Sequence, residues 1–297
     1  MAVVAGQPGP DLREPAGWRR TKNRIAITLM VVSFVVVIIP LGFVLYTTIA
    51  KGASSISGSF LTSDIPPSVL PAGVGGIGPA VVGTLLITAL ATVIAVPLGV
   101  LGAIYLNEYG GNNWLSKFIG FMSDVMTGVP SIIMGLFIFS IWVVHFGFSG
   151  LAGAFALAAL MLPIVIRSTY EMLRLVPDSL RQGSHALGAS KSRVTLTVVL
   201  PAAAGGIVSG SLLAVARAAG ETAPLLFTIL GGTTLVNSNV FSGANIALPF
   251  LIFTNASSPY PGAQARGWGA ALTLIAIAFI LMIIARIVTA RFARYAR

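Results

Sequence analysis

Six stretches of this chain run for 19 residues or more without a Lys, Arg, Asp or Glu: Ile25–Ala50, Ile65–Asn107, Val125–Ile166, Val194–Ala216, Thr222–Ala265 and Gly267–Ala285. A helix crosses the hydrocarbon of a bilayer with about 20 apolar residues, so each run can hold a span. Only 9% of the 297 residues are charged and 56% are hydrophobic, whereas a soluble domain carries roughly a quarter charged residues. The same balance excludes a disordered chain. The absence of cysteine excludes disulfides, iron–sulfur clusters and thiolate zinc sites, and two histidines argue against a histidine-rich metal centre. The sequence therefore predicts an all-α polytopic membrane protein.

Turn chemistry divides the longer runs. Pro66-Pro67 through Gly78-Pro79 reads as a loop, leaving a helix from Ala80 to Leu106. Phe146-Gly147-Phe148-Ser149-Gly150 splits the 42-residue run into a hairpin of two helices. The fifth span is expected to start near Pro201, which suits a first turn, and to pass through Arg217 and Glu221. The sixth is expected from Trp268 to about Val288, and 233–267 reads as an external loop whose segment Ala247–Phe253 dips into the interface. Six transmembrane helices result. Gly128-Val129-Pro130-Ser131 is expected to kink the third, and Asp124 is read as a residue of its N-terminal turn.

Net charge is +10, and its distribution sets the orientation. Fifteen of the 18 Lys and Arg fall before the first span, between the second and third, after the fourth, or after the sixth. Lys51 and Arg266 are placed on the other side, and Arg217 lies within a span. The positive-inside rule thus puts both termini in the cytoplasm, and topology accounts for the excess charge without nucleic acid. Residues 1–24 are expected to form a flexible cytoplasmic tail, and 25–297 the six-helix transmembrane domain. The first apolar run is too long for a signal-peptide core and its end lacks a small-x-small site, so it reads as a retained span.

Ionisable groups at membrane depth carry the functional information, because each costs several kcal/mol unless paired or hydrated. Arg217 and Glu221 stand four apart, on one helical face. Counting about 1.5 Å per residue from Pro201 places Arg217 roughly 24 Å along the span, in the outer half of the membrane. Glycine, serine and alanine at 205, 206, 209, 210, 214 and 220 flank that face and allow close helix approach or space beside a path. Two readings stand: a neutral pair locking the bundle, or a hydrated path in which the guanidinium forks onto an oxyanion. The second is preferred, because intramembrane ions are seldom kept for packing alone. Arg167, ending the fourth span, reads as a second path candidate or as an anchor snorkelling to headgroups. His145 and His185 are given no chemical role. No G-x-x-x-x-G-K-[ST] motif occurs, so any ATP chemistry belongs to another subunit.

The cytoplasmic loop 171–197 has a pattern of its own. Asp178 or Ser179 is placed to cap a helix running to Leu187, and Gly188 to end it in the left-handed conformation. A second short helix from Ser190 leads into Val198-Val199-Leu200-Pro201. A short helix displayed in the cytosol suits docking into a partner's groove. Gln182-Gly183-Ser184, three residues, Gly188, nine residues, then Val198-Val199-Leu200-Pro201 resembles the E-A-A-x3-G-x9-I-x-L-P loop of ATP-binding-cassette importer permeases, departing from it at the first three letters. Gly76-Ile77-Gly78-Pro79, Gly83-Thr84-Leu85, Val96-Pro97-Leu98-Gly99, Ala103 to Tyr109, Gly128 to Phe137 and Ala218 to Leu226 look like the A-type permease of the phosphate-specific importers. The resemblance covers Ile25 to the C-terminus.

That resemblance implies a type I ABC importer permease fold in a bacterial cytoplasmic membrane, surrounded by lipid, with inorganic phosphate as cargo. It implies a homologous C-type permease, a homodimeric cytoplasmic ATPase that binds ATP and Mg, and an extracytoplasmic phosphate-binding protein. This chain itself would bind no cofactor. Arg217, Glu221, Thr222 and Arg167 would line the substrate pathway, while Gln182, Gly183, Ser184, Gly188, Leu200 and Pro201 would form the coupling loop. Three alternatives remain: a sulfate or molybdate importer permease, an ion-coupled secondary transporter, and an intramembrane enzyme. The last two are disfavoured, for want of an inverted repeat and of a nucleophile–base pair.

Overall fold

The computed structural model describes residues 18–66, 75–231 and 234–295. Two units are distinguished, 1–49 and 50–297. The described part of the first is the helix α1 (Trp18–Gly52), which runs through Pro40 and continues into the second unit. Residues 18–24, expected as tail, are therefore helical, and 1–17 lie outside the described residues. Among the described residues, five helices are long and apolar enough to span, and a bent pair, taken as one span, brings the number to six.

In the second unit, α2 (Gly58–Thr62) is capped by Ser57 Oγ, which accepts from Phe60 N at 3.1 Å. Next, α3 (Gly78–Ile104) carries Pro79 in its first turn and ends in a π turn over Tyr105–Tyr109. Asn113 caps α4 (Trp114–Gly128), with its Oδ1 accepting from Ser116 N at 2.8 Å. The chain then breaks rather than kinks. α4 and α5 (Ser131–Ile138) meet at a bend of 111°. Proline forces its predecessor out of the helical region, and Val129 is extended at φ −76°, ψ 128°. Asp124 consequently lies near the C-terminal end of α4, not in an N-terminal turn. A π turn and the short α6 (Val144–Phe146) complete this span, and the expected hairpin follows through Gly147.

The centre of the unit is α7 (Gly150–Arg174), capped by Ser149, whose hydroxyl accepts from Ala152 N at 3.2 Å. Ile87, Ala91 and Ala95 of α3 pack on Ala154, Leu157, Ala158 and Met161 of α7. Small side chains let the backbones approach, which replaces the hydrophobic effect as the source of cohesion within lipid. The loop 171–197 forms α8 (Asp178–Ala186) and α9 (Lys191–Val194). Contrary to expectation, Pro177 precedes α8 without a side-chain cap, and Asp178 is spent on Arg181 at 3.0 Å. From α9 the helix continues through a π turn over Thr195–Val199 into α10 (Leu200–Ala219). Pro201 offers no N–H to the preceding turn, and widening that turn accommodates the ring. α10 ends at Gly220, so Glu221 lies just beyond the helix expected to contain it.

After α11 (Ala223–Leu226), an irregular segment returns to α12 (Leu248–Ala256), which packs against α13 (Pro261–Tyr295). α13 thus starts seven residues before Trp268. Leu248 N donates to Thr84 Oγ1 at 2.7 Å, tying the segment before α12 to α3. Gly83 stands beside this contact, where an added Cβ would meet the Ile246 carbonyl oxygen at 1.9 Å. Backbone on backbone cannot yield as a side chain can. Gly83→Ala is therefore expected to cost on the order of 1–3 kcal/mol, the penalty for overpacking. Thermal unfolding of the detergent-solubilised protein should show it, and an unchanged midpoint would contradict this contact.

Candidate functional site

The ionisable groups expected at depth fall into two clusters on α4, α7 and the end of α10. Arg217 is in the last turn of α10, about 25 Å from Leu200 at the helical rise. Its Nε is 3.7 Å from Glu221 Oε1. The Arg217 side chain is 71% exposed, whereas that of Glu221 is 22% exposed. The carboxylate is therefore the anchored partner, and the guanidinium keeps most of its five donors open. Thr222 follows at the start of α11, where its side chain makes no cap bond and its carbonyl accepts from Leu225 N. Glu221 and Thr222 are held in place by the seating of α11 on α5, where Pro224 covers Gly135.

Arg167 is not a headgroup anchor standing alone. Its Nη1 donates to Asp124 Oδ1 at 3.3 Å and its Nε lies 3.6 Å from Glu171 Oε1. A polar cavity of about 220 Å³ opens here, lined among others by Ser123, Asp124, Arg167 and Tyr170. The Ser123 hydroxyl is buried in it without a hydrogen-bond partner. Asp124, read from sequence as a helix-end residue, is thus the counter-ion of Arg167. Gly206 faces Met172 and Gly210 faces Ser168, so α7 and α10 run antiparallel. Seven residues separate Gly210 from Arg217, so the two arginines lie roughly 10 Å apart along the helices. Arg167 and Arg217 are not brought into one cluster; they form two steps on neighbouring helices. Among the described residues no three His, Asp or Glu side chains gather to hold a metal ion.

The loop 171–197 presents an exposed apolar tip. Gly188 adopts φ +81°, and two bonds close the end of α8: Gly188 N to His185 O at 2.9 Å and Ala189 N to Ser184 O at 3.2 Å. This is a Schellman closure, which requires the left-handed region at Gly188. The preceding Leu187 is 90% exposed, an apolar tip held out by the turn. Gln182, Gly183 and Ser184 lie on α8, while Leu200 and Pro201 open α10 beyond the π turn.

The loop is fixed to the membrane-spanning helices by an interaction with no signature in the sequence. Arg181 of α8 donates from Nη2 to Glu108 Oε1 at 3.0 Å and to the Leu173 carbonyl at 2.8 Å, and from Nη1 to Asp178 Oδ1 and the Val176 carbonyl. Arg181 is 16% and Glu108 8% exposed at the side chain. One guanidinium therefore joins α8, the C-terminal carbonyls of α7 and the π turn that ends α3. A cation is favoured at those carbonyls by the helix dipole. Asn107 Nδ2 donates to Glu108 Oε1 at 2.7 Å, completing the carboxylate's shell. The only hint available in the sequence was Glu108 itself, a carboxylate closing a long uncharged run on the face where cations predominate.

Comparison with known proteins adds a second line. Residues 95–294 match the family model described as binding-protein-dependent transport system inner membrane component. Phosphate transport system permease protein PstA 1 of Mycobacterium tuberculosis H37Rv is 46% identical over 262 residues, 87% of this chain and 84% of that protein. Phosphate transport system permease protein PstA of Yersinia pestis is 41% identical over 285 residues, 94% of each chain. Among solved structures, an inward-facing MetNI methionine ABC transporter chain matches with a TM-score of 0.56 at 19% identity, over 73% of this chain and 94% of that one. That likeness concerns fold alone. Identity above 40% along nearly the whole length leaves no room for a chance match: this chain belongs to the binding-protein-dependent transport permeases, in the family of the PstA proteins.

Proposed function

We propose that this chain is the transmembrane permease subunit of an ATP-driven importer carrying inorganic phosphate across the cytoplasmic membrane of a bacterium. Both termini lie in the cytoplasm, a homologous C-type permease completes the pathway, and a homodimeric ATPase binds ATP and Mg below. An extracytoplasmic phosphate-binding protein delivers the cargo from above. The observation that carries this reading is the open guanidinium of Arg217 in the last turn of the apolar helix α10, held by one long contact to Glu221.

The chemistry follows from the donor set. Arg217 presents two parallel N–H groups to two oxygens of a tetrahedral anion, geometry that an ammonium does not match. Glu221 Oε1 accepts a hydrogen bond from the protonated oxygen of hydrogen phosphate. Fully ionised sulfate has no proton to give and meets the carboxylate as a like charge, which favours phosphate over the sulfate reading. Arg167, countered by Asp124 and Glu171, receives the anion further along toward the cytoplasm. Movement of the ATPases reaches the spans through α8, since a coupled element must have different contacts in each state to transmit anything. Leu187 enters a groove on the ATPase, and Arg181 passes the displacement to α3 and α7 together.

Arg217→Ala should lower ATP-dependent uptake of radiolabelled phosphate by the reconstituted complex at least about tenfold, the worth of one charge-assisted hydrogen-bonded contact. Arg217→Lys should fall between the two. Uptake near wild type in Arg217→Ala would remove this residue from the path. Glu221→Gln should narrow the preference for phosphate over sulfate in competition uptake, and an unaltered ratio would refute the acceptor role.

Coupling is tested at the cytoplasmic face. Losing one partner of a buried ion pair costs about 3–5 kcal/mol, whereas replacing both with apolar groups of similar volume is often neutral. The double variant Glu108→Leu with Arg181→Met should therefore assemble and hydrolyse ATP while its uptake per ATP falls severalfold. A wild-type ratio in that variant would show that the tie transmits nothing. Gly188→Pro, which cannot hold a φ of +81°, should likewise leave hydrolysis running without transport. Normal coupling there would contradict the docking assignment.

A further inference from the structure

Arg266 lies in the second turn of α13, six residues into the helix. Its residue is 3% exposed, and neither Nε nor Nη1 has a hydrogen-bond partner among the described residues. A guanidinium stays protonated, so burial cannot be relieved by neutralisation. Buried charges are paired as a rule, and a buried donor without an acceptor is unusual for an arginine. A second orphan stands close by. Gly267, the next residue, faces Asn255 of α12, and the Nδ2 of that buried side chain is also without a partner. Three buried donor nitrogens beside the α12–α13 turn thus have no hydrogen-bond acceptor among the described residues.

On one side the guanidinium meets backbone without a side chain. Gly75 lies against the guanidinium, where an added Cβ would stand 3.3 Å from Nη1. Gly75 has φ +65°, and the following Gly76 N is committed to the Asp64 carbonyl at 3.1 Å. Around it the apolar cluster of Phe60, Ile65, Ile77, Ile246, Leu248 and Leu251 closes the end of the fold that carries α2 and α12. A partner's carboxylate has no approach to a side chain this deeply covered.

We propose that Arg266 and Asn255 form a buried binding site for a monatomic anion of the halide class, which supplies the missing negative charge and acceptor. A halide takes several N–H donors at once and has no orientation to satisfy, which suits one guanidinium edge and one amide. The anion pins the segment through Gly75 to the α12–α13 turn. The site does not depend on which cargo the Arg217 pathway carries.

A ligand bound only by the folded state raises stability with the logarithm of its concentration. The thermal midpoint of the purified complex should fall by a few degrees when chloride is replaced by gluconate at constant ionic strength, and bromide should restore it. The Arg266→Gln complex should lose this dependence. Bromide-soaked crystals of the wild-type complex should show an anomalous peak in hydrogen-bond contact with the Arg266 guanidinium, a readout that does not need the variant to fold. Equal midpoints in chloride and gluconate, a water in place of the peak, or recovery with phosphate but not bromide would each overturn the halide site.

Discussion

A guanidinium keeps its proton inside a bilayer, and every arginine in this chain must therefore be hydrated, countered or placed at an end. That requirement arranges the molecule. Most cations lie outside the apolar runs, and three of the described arginines show distinct surroundings. Arg167 is bracketed by Asp124 and Glu171. Arg181 is enclosed by Glu108, Asp178 and two carbonyl oxygens. Arg217 remains mostly open beside one half-buried carboxylate. The contrast is sharpest between Arg181, 16% exposed at the side chain, and Arg217, 71% exposed.

The remaining structure serves to hold these groups at fixed heights. Alanine and glycine along α3, α7 and α10 bring backbones close. The proline-induced break between α4 and α5 has a different consequence. It releases α4 from the direction of the span and lets Asp124 reach α7. Local irregularity at Gly128–Ser131 thus creates the counter-ion of Arg167. The π turns before α10 and after α3 lie next to the same coupling region, where the helices adapt to Pro201 and present Glu108.

Much of the fold was legible because the bilayer imposes a coarse rule on sequence. Uncharged runs, cut at glycine and proline, recovered the long helices, the hairpin at Gly147 and the left-handed end of α8 at Gly188. Their ends were less legible, since a membrane helix extends past its apolar core on either side, as α1 and α13 do. Pro130 and Pro97 have the same local chemistry in the sequence, yet one breaks a helix and the other lies inside α3. Neighbours decide that outcome. The pairing of Arg217 with Glu221 followed from their spacing, but those of Arg181 with Glu108 and of Arg167 with Asp124 join residues 73 and 43 positions apart, beyond any periodicity. The orphaned donors of Arg266 and Asn255 likewise belong to tertiary packing.

The central claim is that Arg217 borders a hydrated path through the membrane. The chain contains no cysteine, so a single Cys introduced at position 217 is the only thiol it presents. Reaction of that thiol with a small, charged, membrane-impermeant reagent in the assembled transporter measures water access at the site itself. The account predicts rapid modification in at least one nucleotide state, slowed by added phosphate. A thiol inert to the reagent in every state, yet reactive once the complex is unfolded, would contradict it.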